Sequence, residues 1–134
     1  MIETKFPGYY VTEDGEAYRE PTCKRDYTLI EQGKYETKDG RIKLSTFLRG
    51  HPKYPEHRYK SINVSHRING KFHKQTREYI HHLIAKTLVA NPNNLPEIDH
   101  VDGDRLNNHR NNLEWVTHQE NMDRYKARKN EKVK

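Results

Sequence analysis

The stretch that decides the fold runs from Glu97 to Asn121, EIDHVDGDRLNNHRNNLEWVTHQEN. Residues 97–101 (EIDHV) read as a short strand, and Asp102-Gly103-Asp104 turns the chain. The polar loop Arg105–Asn112 leads to a second strand, Leu113–Val116. Thr117-His118-Gln119-Glu120 matches the capping-box pattern: the threonine hydroxyl satisfies a free amide near the helix start, and the glutamate reaches back to the cap. A helix is expected from His118 to about Lys129. The unit is therefore strand, long loop, strand, helix, with Leu113, Trp115 and Val116 as core residues.

Asp99-His100, Asn112 and Asn121 sit within that unit. Phosphodiester hydrolysis needs an activated water, positive charge beside the scissile phosphate and stabilisation of the leaving 3′ oxygen. A histidine titrating near neutrality suits the first task. A hard cation held by a carboxylate and an amide oxygen suits the other two. Neighbours in a regular strand point to opposite faces. Asp99 and His100 can thus share a site only if the strand ends or twists there, as the Asp102-Gly103 turn allows. Loops rich in Asn and Asp are ordinarily turns, so Asn107, Asn108 and Asn111 are expected to be structural.

Upstream, Ile80, Leu83, Ile84, Thr87 and Leu88 fall at helical spacing and form one apolar stripe on a helix over 81–90, which Asn91-Pro92 stops. His81 and His82 at its start are read as structural. Tyr59–His66 and Lys71–Ile80 flank Asn69-Gly70, a strong two-residue hairpin signal because both turn residues tolerate positive φ. This hairpin and its flank carry Arg58, Lys60, Arg67, Lys71, His73, Lys74 and Arg77. A two-stranded ribbon is narrow enough to enter a major groove; the same lysines and arginines would also protect an edge hairpin from aggregation. Phe6–Glu20 (FPGYYVTEDGEAYRE) reads as a further hairpin around a Glu-Asp-Gly turn, packed through Tyr9, Tyr10, Val11, Ala17 and Tyr18. Residues 21–57 offer only a possible strand near Arg41–Leu48, and Gly50–His57 is given no structure.

At 134 residues, with 31% hydrophobic and 33% charged side chains, the chain cannot build a large core. The charge is uneven: residues 1–40 carry 6 Lys/Arg against 9 Asp/Glu, residues 41–90 carry 11 against 2, residues 91–117 carry 2 against 5, and residues 118–134 carry 6 against 3. A basic middle followed by an acidic patch suits a protein that grips phosphates and holds a cation beside them. The single cysteine, Cys23, excludes a disulfide framework and sites built from paired thiolates. No apolar run approaches membrane-spanning length and the N-terminus lacks a signal-peptide core, which fits a soluble, cytoplasmic protein.

The run His82-Leu-Ile-Ala, Glu97-Ile-Asp-His100-Val-Asp-Gly, Asn107-Asn108, Asn111-Asn112-Leu-Glu-Trp-Val-Thr and Asn121 resembles the HNH endonucleases of bacteriophages. It is most similar to the intron-encoded nicking homing endonucleases, in which the last histidine of the name is replaced by asparagine. The likeness covers about residues 59–125. It implies an α+β fold in which N-terminal antiparallel hairpins and a helix precede a C-terminal ββα-metal unit. It further implies His100 as general base, Asp99 and Asn121 as ligands of one Mg2+ or Mn2+, and Asn112 as the brace of the loop and the base histidine. Products would carry a 5′-phosphate and a 3′-hydroxyl. His109 and His118 are alternative ligands, since other HNH enzymes use histidine at the last position. The N-terminal FPGYYVTEDGEAYRE more weakly resembles a short module found beside such nucleases. The ending KARKNEKVK is too short for the C-terminal helical module common in the homing enzymes.

The organisation expected is an accessory, β-rich DNA-binding segment over 1–57 and a nuclease unit over 58–134. The leading reading is an enzyme of the phage or mobile-element kind that nicks or cuts double-stranded DNA, as a monomer or weak dimer. The alternatives are a DNA-binding protein without cleavage, including an accessory factor in phage DNA packaging, and an RNA-directed or toxin-like nuclease.

Overall fold

The structure, a computed structural model, describes residues 1–50, 53 and 58–133. Strands β1 (Ile2–Glu3), β2 (Tyr9–Val11) and β3 (Ala17–Arg19) come first. The hairpin expected over Phe6–Glu20 is the β2–β3 pair, with Val11 opposite Ala17 across the Glu13-Asp14-Gly15 turn. Helix α1 (Lys24–Glu31), β4 (Thr37–Lys38) and β5 (Arg41–Lys43) follow, and the antiparallel sheet reads β1-β2-β3-β5-β4. A second antiparallel sheet, β6-β7-β8, contains β6 (Phe47–Arg49), β7 (Tyr59–Ile68) and β8 (Lys71–Tyr79). The chain passes directly from β8 into helix α2 (Ile80–Leu88). The ββα unit closes it: β9 (Glu97–His100), a short 3-10 turn (Arg110–Asn112), β10 (Leu113–Val116) and helix α3 (His118–Val133). The α+β architecture expected from the sequence is the one observed.

Two elements differ from the sequence reading. The possible strand near Arg41–Leu48 divides into β5 and the start of β6, which lie in different sheets. Helix α1 was not expected. Its one buried side chain is an aspartate, Asp26, so it shows no apolar stripe for periodicity to detect. A charge anchors it instead: Arg19 grips Asp26 through two hydrogen bonds of 2.8 and 3.0 Å, and the Thr22 amide donates to the same carboxylate at 2.9 Å. These contacts hold the Asp26 carboxyl well below its ordinary range, although burial opposes them. Of the stretch Gly50–His57, residues 51, 52 and 54–57 lie outside the described residues.

Helix α2 is the pillar of the core. Ile80, Leu83, Ile84, Ala85 and Leu88 are buried against Ile62 and Val64 of β7, Tyr9, Val11 and Ala17 of the N-terminal hairpin, and Leu113 of β10. Each such aliphatic side chain contributes roughly 1.5–3 kcal/mol on leaving water. Thr87, placed on the stripe by spacing, is the member left outside this cluster. The core therefore joins residues on both sides of position 57. The Tyr9 hydroxyl adds a polar tie, accepting from the Ser65 amide at 2.9 Å. Trp115 packs beside the cluster and donates its indole N–H to the Val89 carbonyl at 3.1 Å. Among the described residues no helix is long and apolar enough to cross a membrane.

Candidate active site

The ββα unit is built as its residues dictate. β9 and β10 pair antiparallel, with His100 opposite Leu113 and Asp99 opposite Glu114. The turn after β9 closes by the Gly103 amide donating to the His100 carbonyl at 2.8 Å. Asn112 braces the loop: its Oδ1 accepts from the Asp102 amide, and its Nδ2 donates to Asp102 Oδ1 and to the Asn107 carbonyl. The capping box forms reciprocally, with the Glu120 amide on Thr117 Oγ1 at 3.1 Å and the Thr117 amide on Glu120 Oε1 at 3.3 Å. That cap sets the first turn of α3, and with it Asn121, beside β9.

Asp99 and His100 point to opposite faces, as strand alternation requires, yet β9 ends at His100 and both line one cavity of about 690 Å3. Glu97, His118, Asn121 and Arg128 line it too. Asp99 is only 3% exposed. Its carboxylate accepts from Arg124 Nη1 at 2.9 Å and from Arg128 Nη1 and Nη2 at 2.9 and 3.0 Å. Burial alone would raise its pKa, but the Arg128 and Arg124 guanidiniums hold it below the ordinary value. Arg128 also donates to the His100 and Val101 carbonyls, and Arg124 pairs with Glu114. Neither arginine stood out in the sequence; helical spacing of four residues after a capped start was the signal available.

His100, 5% exposed, faces the other way. Its Nε2 lies 3.0 Å from Asn108 Oδ1. The ring packs near His81 and Tyr59, with centroids 5.0 and 5.9 Å away. Burial lowers its pKa, against the Asn108 hydrogen bond and the Asp99 and Asp102 charges, which raise it. The brace on the ring is thus Asn108, whereas Asn112 serves the loop. The family resemblance implies both tasks for Asn112, and Asn108 reads from the sequence as structural; the neighbouring asparagines at 107 and 108 are indistinguishable by type. His81 is buried in an aromatic nest with Tyr59, Tyr79, His82 and His100.

Glu97 is a second residue the sequence did not single out. Its Oε1 accepts from Asn121 Nδ2 at 2.8 Å and its Oε2 lies 2.6 Å from His118 Nδ1. Asn121 therefore spends an N–H on Glu97, and its carbonyl oxygen is the atom left for a ligand. His118 reaches the cavity but is 70% exposed at its side chain. His109 sits 3.4 Å from Asp14 on the N-terminal hairpin and is not part of that cavity's wall.

The oxygen donors of Asp99, Asn121 and Glu97 are of the kind a hard divalent cation takes, and they share one cavity. Among the described residues no three carboxylate, imidazole or thiolate groups converge to enclose an ion. An ion held by one carboxylate and one amide oxygen, with its other positions left to water and phosphate, fits that donor set. It would have to share Asp99 with the two guanidiniums.

The basic hairpin forms as expected. Asn69 and Gly70 adopt φ of 52° and 78°, the left-handed pair that a tight hairpin turn requires. Arg67, Lys71 and Lys74 are exposed on its distal half, together with Ile68 and Phe72 at the tip, and Arg77 is exposed nearer its base. Arg58 and Lys60 lie half-buried at its base. Register sets Lys74 opposite His66 and Arg77 opposite Asn63, so these two side chains leave opposite faces of the ribbon.

Residues 78–123 match the sequence profile of the HNH endonuclease family. The chain is 37% identical over 89 residues to an uncharacterized HNH endonuclease of Acanthamoeba polyphaga mimivirus, an alignment that takes in 64% of this chain and 25% of that protein. It is 38% identical over 66 residues to a protein of Bacillus subtilis (strain 168) named as an SPbeta prophage-derived HNH homing endonuclease, covering 48% of this chain and 35% of the relative. The chain thus spans about a quarter to a third of these relatives. Among solved structures it superposes on the HNH homing endonuclease I-HmuI with a TM-score of 0.59 at 23% identity, over 95% of this chain and 59% of that one. The resemblance to HNH endonucleases first seen on residues 82–121 is shown, and the α+β fold is shared with a homing endonuclease.

Proposed function

We propose that the chain is a metal-dependent DNA endonuclease of the phage or mobile-element kind. The observation that carries this reading is that Asp99, His100 and Asn121 all line one cavity of the ββα unit. In this reading His100 takes a proton from a water, whose oxygen attacks the phosphorus as the bond to the 3′ oxygen breaks. The departing 3′ oxygen takes a proton from solvent water, so the products carry a 5′-phosphate and a 3′-hydroxyl. Asp99 and Asn121 hold one Mg2+ or Mn2+, which when bound would supply positive charge to the phosphate and the departing oxygen. Asn112 keeps the loop shaped, and His118 is the alternative ligand nearest the pair. His109, turned to Asp14, is not proposed as a ligand.

Duplex DNA would lie along the basic hairpin, held through Arg58, Lys60, Arg67, Lys71, Lys74 and Arg77, with residues 1–57 as accessory segment and 58–134 as nuclease unit. One site per chain implies a nick by a monomer. Incubation with supercoiled plasmid and Mg2+ or Mn2+ tests the reading: nicked circles should form, and His100→Ala should abolish them while leaving DNA affinity within about 2-fold. A general base contributes on the order of 10²–10⁴-fold.

One observation favours a second reading. Asp99 already receives three N–H groups from Arg124 and Arg128. A chain that kept these pairs on DNA would bind without cutting, and binding with no nicked circles in either metal would establish that.

A further inference from the structure

We infer that Asn108 is the positioning residue for His100, and that the N-terminal hairpin, through Gly15, holds Asn108 in place. This rests on the endonuclease reading above and adds to it a link between the two halves of the chain.

The amide oxygen of Asn108 lies 3.0 Å from His100 Nε2, and Asn108 is 4% exposed. An amide oxygen can only accept, so Nε2 carries the hydrogen and Nδ1 is the ring nitrogen free to take a proton from water. The other groups against the ring, His81 and Tyr59, meet it through their ring faces and edges. His81 Nδ1 is itself buried with no hydrogen-bond partner. Asn108 thus selects the tautomer as well as the ring's orientation.

Hydrogen bonding does not fix Asn108 by itself, because its Nδ2 is buried without a partner. Packing does. Gly15 sits at φ +90°, and a Cβ there would lie 2.9 Å from Asn108 Cβ and 3.0 Å from its carbonyl oxygen. No side chain fits between the hairpin turn and Asn108. The turn is clamped in that position by the Arg110 amide on the Glu13 carbonyl at 2.8 Å, by Arg110 on the Glu13 carboxylate at 3.2 Å, and by His109 against Asp14 at 3.4 Å. Residues 13–15 and 108–110 therefore form one seat beneath the base histidine.

The test compares the wild-type chain with Asn108→Leu, which keeps the volume but removes the acceptor, Asn108→Asp, which restores an acceptor, and Gly15→Ala. Plasmid nicking in Mg2+ is read as turnover and as apparent DNA affinity. Long-range 1H–15N correlation on the metal-free protein, at a pH where the ring is neutral, reads the His100 tautomer. The wild type should show the Nε2–H form. Asn108→Leu should lose roughly 10- to 100-fold in turnover, a part of what a general base supplies, with affinity within about 2-fold and a mixed tautomer signal. Asn108→Asp should recover most of the turnover and the single tautomer. Gly15→Ala should follow Asn108→Leu. An Nδ1–H wild type, unchanged turnover in Asn108→Leu, or failure of Asn108→Asp to recover overturns the inference. A wild type that does not nick overturns the endonuclease reading instead, and the tautomer signals of the wild type and Gly15→Ala still decide the positioning role. If Asn108→Leu does not fold, those same two signals decide it.

Discussion

Three guanidinium N–H groups converge on the Asp99 carboxylate, the group that the endonuclease reading proposes as a metal ligand. Hydrogen bonds to charged groups are worth about 1.5–3 kcal/mol each, so Arg128→Ala should lower stability by roughly that amount, measured as a urea midpoint. If Arg128 and the cation compete for Asp99, the same variant should bind Mn2+ more tightly in a calorimetric titration; weaker binding would mean that Arg128 supports the site. Asp99→Ala and Asn121→Ala should each reduce metal-dependent nicking by about 10²-fold or more, and full activity in either removes it from the ligand set. His81 offers a separate test through pH. Its pKa is depressed to about 3 by burial and by the nearby His82 and His100. The unfolded chain takes up a proton near the ordinary value of 6.5 while the folded chain does not. Stability is therefore fully present above about pH 6.5 and falls by about 1.4 kcal/mol per pH unit below it, until the folded value is reached. Burial moves His82 and His100 in the same direction. His81→Phe should flatten the loss between pH 7.5 and 5; an unchanged slope would assign the acid sensitivity to other groups.

Elements were legible in the sequence where a local rule fixed them. The Asn69-Gly70 turn set the β7–β8 register, the Thr117–Glu120 box set the start of α3, and the apolar stripe located α2 to within two residues at its C-terminal end. Helix α1 escaped because an ion pair docks it, and ion pairs leave no periodicity. The division of labour between Asn112 and Asn108 escaped for a similar reason. Which of several equivalent loop asparagines reaches His100 depends on the docking of Gly15, some 93 residues away in the chain. Charge on the hairpin was legible, but its arrangement was not: the bulge between His66 and Arg67 re-aims the tip. Beyond Val64 the ribbon reaches out by on the order of 13 Å to its turn, at about 3.3 Å per residue. If it lies along DNA, replacing Lys60 and Lys74 with alanine should lower affinity and make the plot of log affinity against log salt shallower by about 1.8. An unchanged slope would take the hairpin out of the interface.

At the scale of the whole molecule, position 57 does not divide the core. Tyr9, Val11 and Ala17 of the N-terminal hairpin pack against Ile62, Val64, Ile80, Ile84 and Leu113, and the Tyr9–Ser65 and Arg110–Glu13 bonds tie the same two parts. A chain of this size cannot divide so few apolar side chains between two independent units, because below about 70–80 residues a single core rarely supplies more than a few kcal/mol. The structure therefore unfolds as one cooperative unit, with hairpin and ββα unit losing structure together. Two truncations on opposite sides of position 57 test this. Val11→Ala and Ile84→Ala each remove buried aliphatic groups and should each cost about 2–4 kcal/mol. Each should move a single transition, whether it is followed by far-ultraviolet circular dichroism or by the fluorescence of Trp115 in β10. A Val11→Ala protein whose circular dichroism shifts while its Trp115 signal stays at the wild-type midpoint would mean that the N-terminal sheet melts by itself. That outcome would also detach Gly15 from Asn108, so nicking should fail at a lower denaturant concentration than the tryptophan transition. Coincident loss of both signals and of nicking is the expected result, because the hairpin that packs Val11 and Ala17 into the shared core also carries Gly15 against Asn108.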